Sequence, residues 1–260
     1  MYIIASHAYL STVICGKYRG ETGMPIVIEQ GITVGPGVAI GPGSVSAANG
    51  SLSFSGSNYL SVSNNVALNP GTGSFTIEFW TYLNSRTNNA SFWRGNNNGV
   101  DIFMNGSGKL ALGQAQISTL ITDSVNMTTG SWVHVAAVKN GSTITLYKNG
   151  VSVGSSGSAP NFVTDTINYI GNQGSFRING YMTNLRVVIG VGVYTGTFTP
   201  PTSPLTATQS SGTNISAITA GQTRLLLNTT NDANFLKDSS TNNFTVTNTG
   251  SVTSSALNPF

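Results

Sequence analysis

Trp132-Val133-His134-Val135-Ala136-Ala137-Val138-Lys139-Asn140-Gly141-Ser142-Thr143-Ile144-Thr145-Leu146-Tyr147-Lys148-Asn149-Gly150-Val151-Ser152-Val153 carries the strongest structural signal in the chain. Apolar positions alternate with others, and Asn-Gly occurs twice, 9 residues apart. Asn-Gly at the centre of a two-residue loop supplies the paired positive φ angles of a type I′ turn. The spacing therefore predicts a three-strand meander, with loops at Asn140-Gly141 and Asn149-Gly150.

The same period of two continues outward. Ser51-Leu52-Ser53-Phe54 and Tyr59-Leu60-Ser61-Val62 alternate. Phe75–Leu83 places Phe75, Ile77, Phe79 and Thr81 on one face and Thr76, Glu78, Trp80 and Tyr82 on the other. Neither face is polar at the Trp80 end, which predicts a central strand, with Trp80 and Trp132 packed in the core or between sheets. Asn168–Gly171, Gly180–Val188, Thr223–Leu227 and Phe244–Thr247 read as further strands, and a Pro-rich loop spans Phe198–Pro204. No segment of ten or more residues keeps a helical period. Short strands at regular spacing with Gly/Asn turns predict an all-β sandwich or barrel.

Composition narrows the function. Of 260 residues only 7% are charged, against about 25% in ordinary globular chains. Glu appears only at positions 21, 29 and 78. A solvated helical bundle needs many such residues on its outer faces. The net charge of +3 comes from scattered Lys and Arg, without the clustering of a nucleic-acid binder. Cys15 is the lone cysteine, so no intrachain disulfide forms; it reads as a buried, inert thiol. The apolar run Met1–Cys15 lacks a basic n-region and is shorter than the ~18 residues of a membrane span. No membrane partner is expected.

The chain divides on paper into an N-terminal docking segment (1–25), a Gly-Pro stem or linker (26–46) and a sandwich (47–260). The stem repeats with period six: Gly31-Ile32-Thr33-Val34-Gly35-Pro36, then Gly37-Val38-Ala39-Ile40-Gly41-Pro42. So few units cannot bury their own apolar face. They form a stiff linker, or a stem in which Ile32, Val34, Val38 and Ile40 pack against other copies of the chain.

Several ordered motifs resemble the concanavalin A-like, laminin-G-type jelly rolls. Ser51–Val62 is similar to their opening, Phe75-Thr76-Ile77-Glu78-Phe79-Trp80 to their second signature, and Trp132–Ala136 with Leu146–Gly150 to their third. Gly180-Tyr181-Met182-Thr183-Asn184-Leu185-Arg186-Val187 resembles the closing strand. The resemblance covers roughly Ser51–Thr206 and implies a concanavalin A-like jelly-roll β-sandwich. It departs at Ser55 and at Thr183-Asn184, where the family carries carboxylates, and both departures weaken a calcium site. A second resemblance joins Arg186–Pro201, Thr223–Asn228 and Asp238–Val246 to structural proteins of tailed bacteriophages, notably cyanophages, where Gly-Pro-Gly repeats also recur. The Leu225-Leu226-Leu227-Asn228 and Asp238-Ser239-Ser240 elements usually precede the first sandwich strand; here they come last. They close the sheet in cis or pair with a neighbouring subunit.

Catalytic readings find little material. Glycoside hydrolysis needs two carboxylates flanking the bond, ~5–9.5 Å apart, and Glu78 has only Thr76 and Trp80 as same-face neighbours. Asp101, Asp123 and Asp165 stand apart in sequence. His134 alternates with valines and reads as a solvent-face or internally satisfied histidine; His7 has no partner signature. No catalytic residue, cofactor or zinc site is expected, while Asp101 or Asp123 with Asn carbonyls is the one calcium alternative. The sugar-binding candidate is Ser91–Asp101: Trp93 to stack on a ring, and Arg94, Asn96, Asn97 and Asp101 to bond hydroxyls. Its rival is a strand containing Phe92 and Trp93, followed by an Asn turn.

Together these readings give a non-enzymatic virion surface protein: a capsid decoration or a tail or head fibre component. Its partners would be other virion proteins, its own copies as a homotrimer, and a cell-surface glycan. The alternative is a lectin-like adhesin acting in host recognition, and a glycan hydrolase stands behind both.

Overall fold

The computed structural model describes residues 49–260 apart from 64, 165 and 231. The docking segment, the stem with Ile32, Val34, Val38 and Ile40, and also His7, Cys15 and Asp165, lie outside the described residues.

Alternating sequence and Gly/Asn turns give strands almost throughout. They are β1 (Ser51–Ser55), β2 (Tyr59–Ser63), β3 (Phe75–Ser85), β4 (Ser91–Gly95), β5 (Val100–Met104), β6 (Lys109–Gln114), β7 (Ser118–Asn126), β8 (Trp132–Asn140), β9 (Thr143–Lys148) and β10 (Val151–Ser156). Then follow β11 (Ile167–Ile170), the short pair β12 (Asn172–Gln173) and β13 (Phe176–Arg177), β14 (Asn179–Ile189), β15 (Thr223–Leu227), β16 (Val246–Thr249) and β17 (Thr253–Ser255). One 3-10 turn, Val66–Leu68, is the only helical element among the described residues.

Two antiparallel sheets face each other. The first runs β10-β9-β8-β3-β14-β1-β17, and the second β16-β2-β11-β4-β5-β6-β7. Strand β3 is central, between β8 and β14. Strand β14 is long enough to pair with β1 along its first half and with β15 along its second. Phe54, Phe75, Phe79, Phe92, Trp93, Phe162 and Leu52 fill the space between the sheets. Each such side chain contributes roughly 1.5–3 kcal/mol by leaving water. Phe75 meets Phe162 edge-on at 5.6 Å, and Phe79 lies 5.3 Å from Phe92. This is the expected jelly-roll sandwich.

The C-terminal strands close the sandwich in cis: β16 pairs with β2 and β17 with β1. Asn248 fixes the corner between them, its Nδ2 donating to Val252 O and its Oδ1 accepting from Val252 N, both at 2.8 Å. Buried Asp238 anchors the approach. Its carboxylate accepts from Leu226 N, Ser240 N, Ser240 Oγ and Phe244 N at 2.8–3.0 Å, which accounts for the Asp-Ser-Ser element.

Two expectations are corrected. The second hairpin loop is Asn149-Gly150, at φ 49° and 78°, as read from sequence. In the first, Asn140 pairs with Thr143, so the loop is Gly141-Ser142. Gly141 alone is at positive φ (59°) there, the Gly-first pattern of a type II′ loop. Trp80 and Trp132 are not inter-sheet residues. Phe75, Ile77 and Phe79 occupy the inner parity of β3, leaving both tryptophans half-buried on the outer face. There Trp80 is edge-on to His134 and Phe260, and Trp132 to Tyr82.

Candidate functional site

The outer face of the second sheet carries the cleft with the most recognition chemistry. Val100, Ile102 and Met104 of β5, Leu110 and Leu112 of β6 and Ile170 of β11 point into the core. Alternation therefore turns Asp101, Phe103 and Tyr169 outward. Register places Tyr169, Arg94 and Asp101 side by side across β11, β4 and β5. At the floor, Arg94 Nη1 donates to Asp101 Oδ2, and Ser91 Oγ donates to Asp101 Oδ1 at 2.6 Å. Burial pushes the Asp101 carboxyl up, Arg94 and Ser91 pull it back, and the balance leaves it at about 6.

Two hollows share Arg94 and Gln116. One, about 450 Å³, has Tyr169, Asn172, Ser175 and Phe176 on its walls. The other, about 420 Å³, has Phe103, Gln114, Ile117 and Ser118. Phe176 is 46% exposed and Ile117 64%, so each hollow has an open apolar wall.

The β12–β13 hairpin that presents Phe176 is held from below. The Arg177 guanidinium lies 5.1 Å from the centre of the Tyr59 ring, which is edge-on to Tyr169 at 5.8 Å. Arg177 Nε donates to Asn172 Oδ1 and Nη1 to Ser57 O. The hairpin begins at Gly171, φ 79°, where a Cβ would stand 2.7 Å from the Phe54 ring; only glycine fits.

Of the sequence candidates, the structure brings Arg94, Asn96 and Asp101 to this cleft. Asn97 sits in the β4–β5 turn at φ 43° and lines neither hollow. Trp93 is corrected. The β4–β5 register slips between Ser91 and Trp93, a bulge that sends both Phe92 and Trp93 into the core. Trp93 is 2% exposed and offers no face to a sugar. Tyr169, Phe176 and Gln116 escaped the sequence reading. Each is a single residue far from Ser91–Asp101 in the chain, and an aromatic after Gly174-Ser175 was the one available hint. Neither calcium candidate is free: Asp101 is held by Arg94 and Asp123 by Lys148.

A larger hollow of about 810 Å³ lies on the opposite side, in residues 194–218. Its walls mix Ser, Thr, Pro and Gln209 with the aliphatic Leu205, Ile215, Ala217 and Ile218, carry no charged group, and hold one aromatic, Tyr194, which is buried. It lacks the open rings and the donor–acceptor pair of the cleft. Beneath that segment a buried network ties loop to sheet. Glu78 Oε1 accepts from Arg186 Nε at 2.9 Å and Nη2 at 2.6 Å; Oε2 accepts from Tyr194 OH at 2.6 Å and His134 Nε2 at 3.3 Å. Arg186 also donates to Thr206 O and Gln209 Oε1. Burial alone would raise Glu78, but Arg186, His134 and Tyr194 outweigh it and hold the carboxyl at about 2. Burial and the neighbouring Glu78 carboxylate push the Tyr194 phenol far up. His134 is fully buried, not on a solvent face; its Nε2 bonds Glu78, while its Nδ1 has no hydrogen-bond partner among the described residues.

A family model described as the concanavalin A-like lectin/glucanases superfamily matches residues 54–190, more than half of the 260-residue chain. The chain belongs to this superfamily. Among solved structures, it is similar to the native heptameric SAP-like pentraxin of Limulus polyphemus (19% identity, 54% of this chain and 76% of that one, TM-score 0.41). Domain 4 of the extracellular arabinanase AbnA of Geobacillus stearothermophilus, in complex with arabinotriose, is similar at 18% identity (48% and 64%, TM-score 0.41). So is the CBM40 of the Ruminococcus gnavus IT-sialidase bound to α2,3 sialyllactose, at 14% identity (51% and 86%, TM-score 0.40). Among curated proteins no relative of this superfamily member was found.

Proposed function

We propose that this chain is a non-catalytic carbohydrate-binding protein displayed on a virion surface, where it meets host glycans. The observation that carries the reading is the row Tyr169–Arg94–Asp101 across the outer face of the second sheet, walled by Phe176 and Ile117. A sugar presents an apolar ring face and a rim of hydroxyls. Aromatic and aliphatic walls match the first, and a guanidinium beside a carboxylate matches the second by donating and accepting together. A peptide that binds by strand addition would take a sheet edge, and this floor is a sheet face.

The non-catalytic part rests on carboxylate supply. Glycoside hydrolysis takes two, and Asp101 is the single carboxylate among the described residues of the cleft walls. Glu78 is committed to Arg186 on the outer face of the other sheet. The virion part rests on low charge, the Gly-Pro repeats and the phage-like segments after Arg186. In that setting the N-terminal residues dock to other virion proteins and assemble the chain as a trimer.

Calorimetric titration of the whole chain with glycans tests the binding. Phe176→Ala is expected to lower affinity about tenfold, the worth of one aromatic contact, without shifting the thermal midpoint. Wild-type affinity in that variant overturns the site. Immunogold labelling of intact and disrupted virions tests the location. Label over the head indicates a decoration or head-fibre protein, label at the tail a fibre, and label on neither overturns the virion reading.

A further inference from the structure

We propose that the cleft takes an uncharged glycan chain of at least two sugar units, lying across Arg94 with one unit in each hollow. The inference rests on the carbohydrate reading above and gives it a ligand class.

Three observations carry it. The first is duplication. The hollows of about 450 and 420 Å³ meet at Arg94 and Gln116, and each falls within the roughly 300–1,000 Å³ range of ligand sites. Each is also complete in itself. One pairs Tyr169 and Phe176 with Asn96 and Ser175; the other pairs Phe103 and Ile117 with Gln114 and Thr119. A site for one sugar needs only one such set.

The second is the saddle. Arg94, shared by both hollows and 8% exposed, is bonded to Asp101, which is 4% exposed and lines the second hollow; the pair sets a donor beside an acceptor at the floor. Asn96 and Gln116 bridge above, with Gln116 Nε2 donating to Asn96 Oδ1 at 3.4 Å. Asn96 Nδ2 also donates to Thr166 Oγ1 at 3.1 Å, so its amide is held in place beside the long bond to Gln116, and that long bond is one a sugar hydroxyl can replace.

The third is charge. Among the described residues of both walls there is one cation, Arg94, and one anion, Asp101, and they neutralise each other. A uronate or sialate would bring a carboxylate with no free cation to meet it, and would lie against Asp101. An uncharged chain has no such cost.

The test is a printed panel of neutral and acidic glycans graded from one to six units, probed with the full chain. The strongest neutral hit is then titrated by calorimetry at 0.05 and 0.5 M salt. Retention is expected only for neutral glycans of two or more units, with affinity changing less than twofold between the two salts, as uncharged contacts require. Phe176→Ala and Ile117→Ala, both at exposed positions, should each weaken the best tetrasaccharide at least tenfold and leave the thermal midpoint unchanged. Acidic glycans preferred over neutral ones, monosaccharides bound as tightly as disaccharides, or wild-type affinity in Ile117→Ala would overturn the two-unit neutral ligand while leaving sugar binding standing. No retained glycan of any class would overturn both.

Discussion

Arg186 has no exposed surface and one carboxylate beside it, Glu78, equally buried. Such a pair adds little net stability relative to apolar residues, but removing one partner strands the other charge, at about 3–5 kcal/mol. Glu78→Gln should therefore cost that much in urea denaturation, and pairing it with Arg186→Met should recover part of the loss. A single-variant cost below about 1 kcal/mol would contradict the network. At this scale the sequence was legible in chemistry but not in direction. Arg94, Asn96 and Asp101 carry hydroxyl-bonding groups that sequence alone shows, and they stand at the cleft. Trp93 has the ring a sugar would stack on but points the other way, because one slipped register turns two consecutive rings inward. Glu78 has no partner among its strand neighbours in sequence, because Arg186 is 108 residues away and becomes its neighbour only through the β3–β14 register.

The two hairpins of the β8–β10 meander look alike in sequence and differ in what their asparagines do. Asn149 is at φ 49°, its Oδ1 accepts from His134 N at 2.8 Å, and its own N–H donates to His134 O. Asn140 is exposed and sits in the ladder opposite Thr143. Asn149→Ala removes a hydrogen bond and puts alanine in a left-handed conformation, together roughly 1–3 kcal/mol. Asn140→Ala should stay within about 0.5 kcal/mol. Thermal melts of the two variants check this, and equal midpoints would refute the assignment of the loops. Strands with clear alternation or Asn-Gly boundaries (β1, β2, β3, β8, β9, β10, β14) were readable because turn chemistry and period two act locally. The β4–β7 run was less so. It is interrupted by bulges at β4–β5 and β6–β7, and an Asn-rich turn at 96–99 hides where one strand ends and the next begins.

Across the molecule, two buried carboxylates on opposite outer faces are shifted in opposite directions, and this sets the response to pH. Glu78 is held at about 2, below its ordinary 4.5. The unfolded chain takes up that proton first, so stability from Glu78 is present above pH 4.5 and is lost as pH falls toward 2. Asp101 is raised from 3.8 to about 6. The folded chain takes up its proton first, so stability from Asp101 is fully present below pH 3.8 and is lost as pH rises through about 6. At 1.36 kcal/mol per unit each limb is worth roughly 3 kcal/mol. Urea midpoints should therefore rise from pH 7 toward about 4.5, level off down to pH 3.8 where the two contributions oppose each other, and fall below it, with Asp101→Asn flattening only the upper limb. Glycan affinity should move the other way over that upper limb. A protonated Asp101 is a poorer acceptor and leaves the Arg94 charge uncompensated in a cleft suited to neutral sugars. Stability rising while neutral-glycan affinity falls between pH 7 and 4.5 would tie both to Asp101; affinity that rose in step with stability would separate the cleft from the ligand assigned to it.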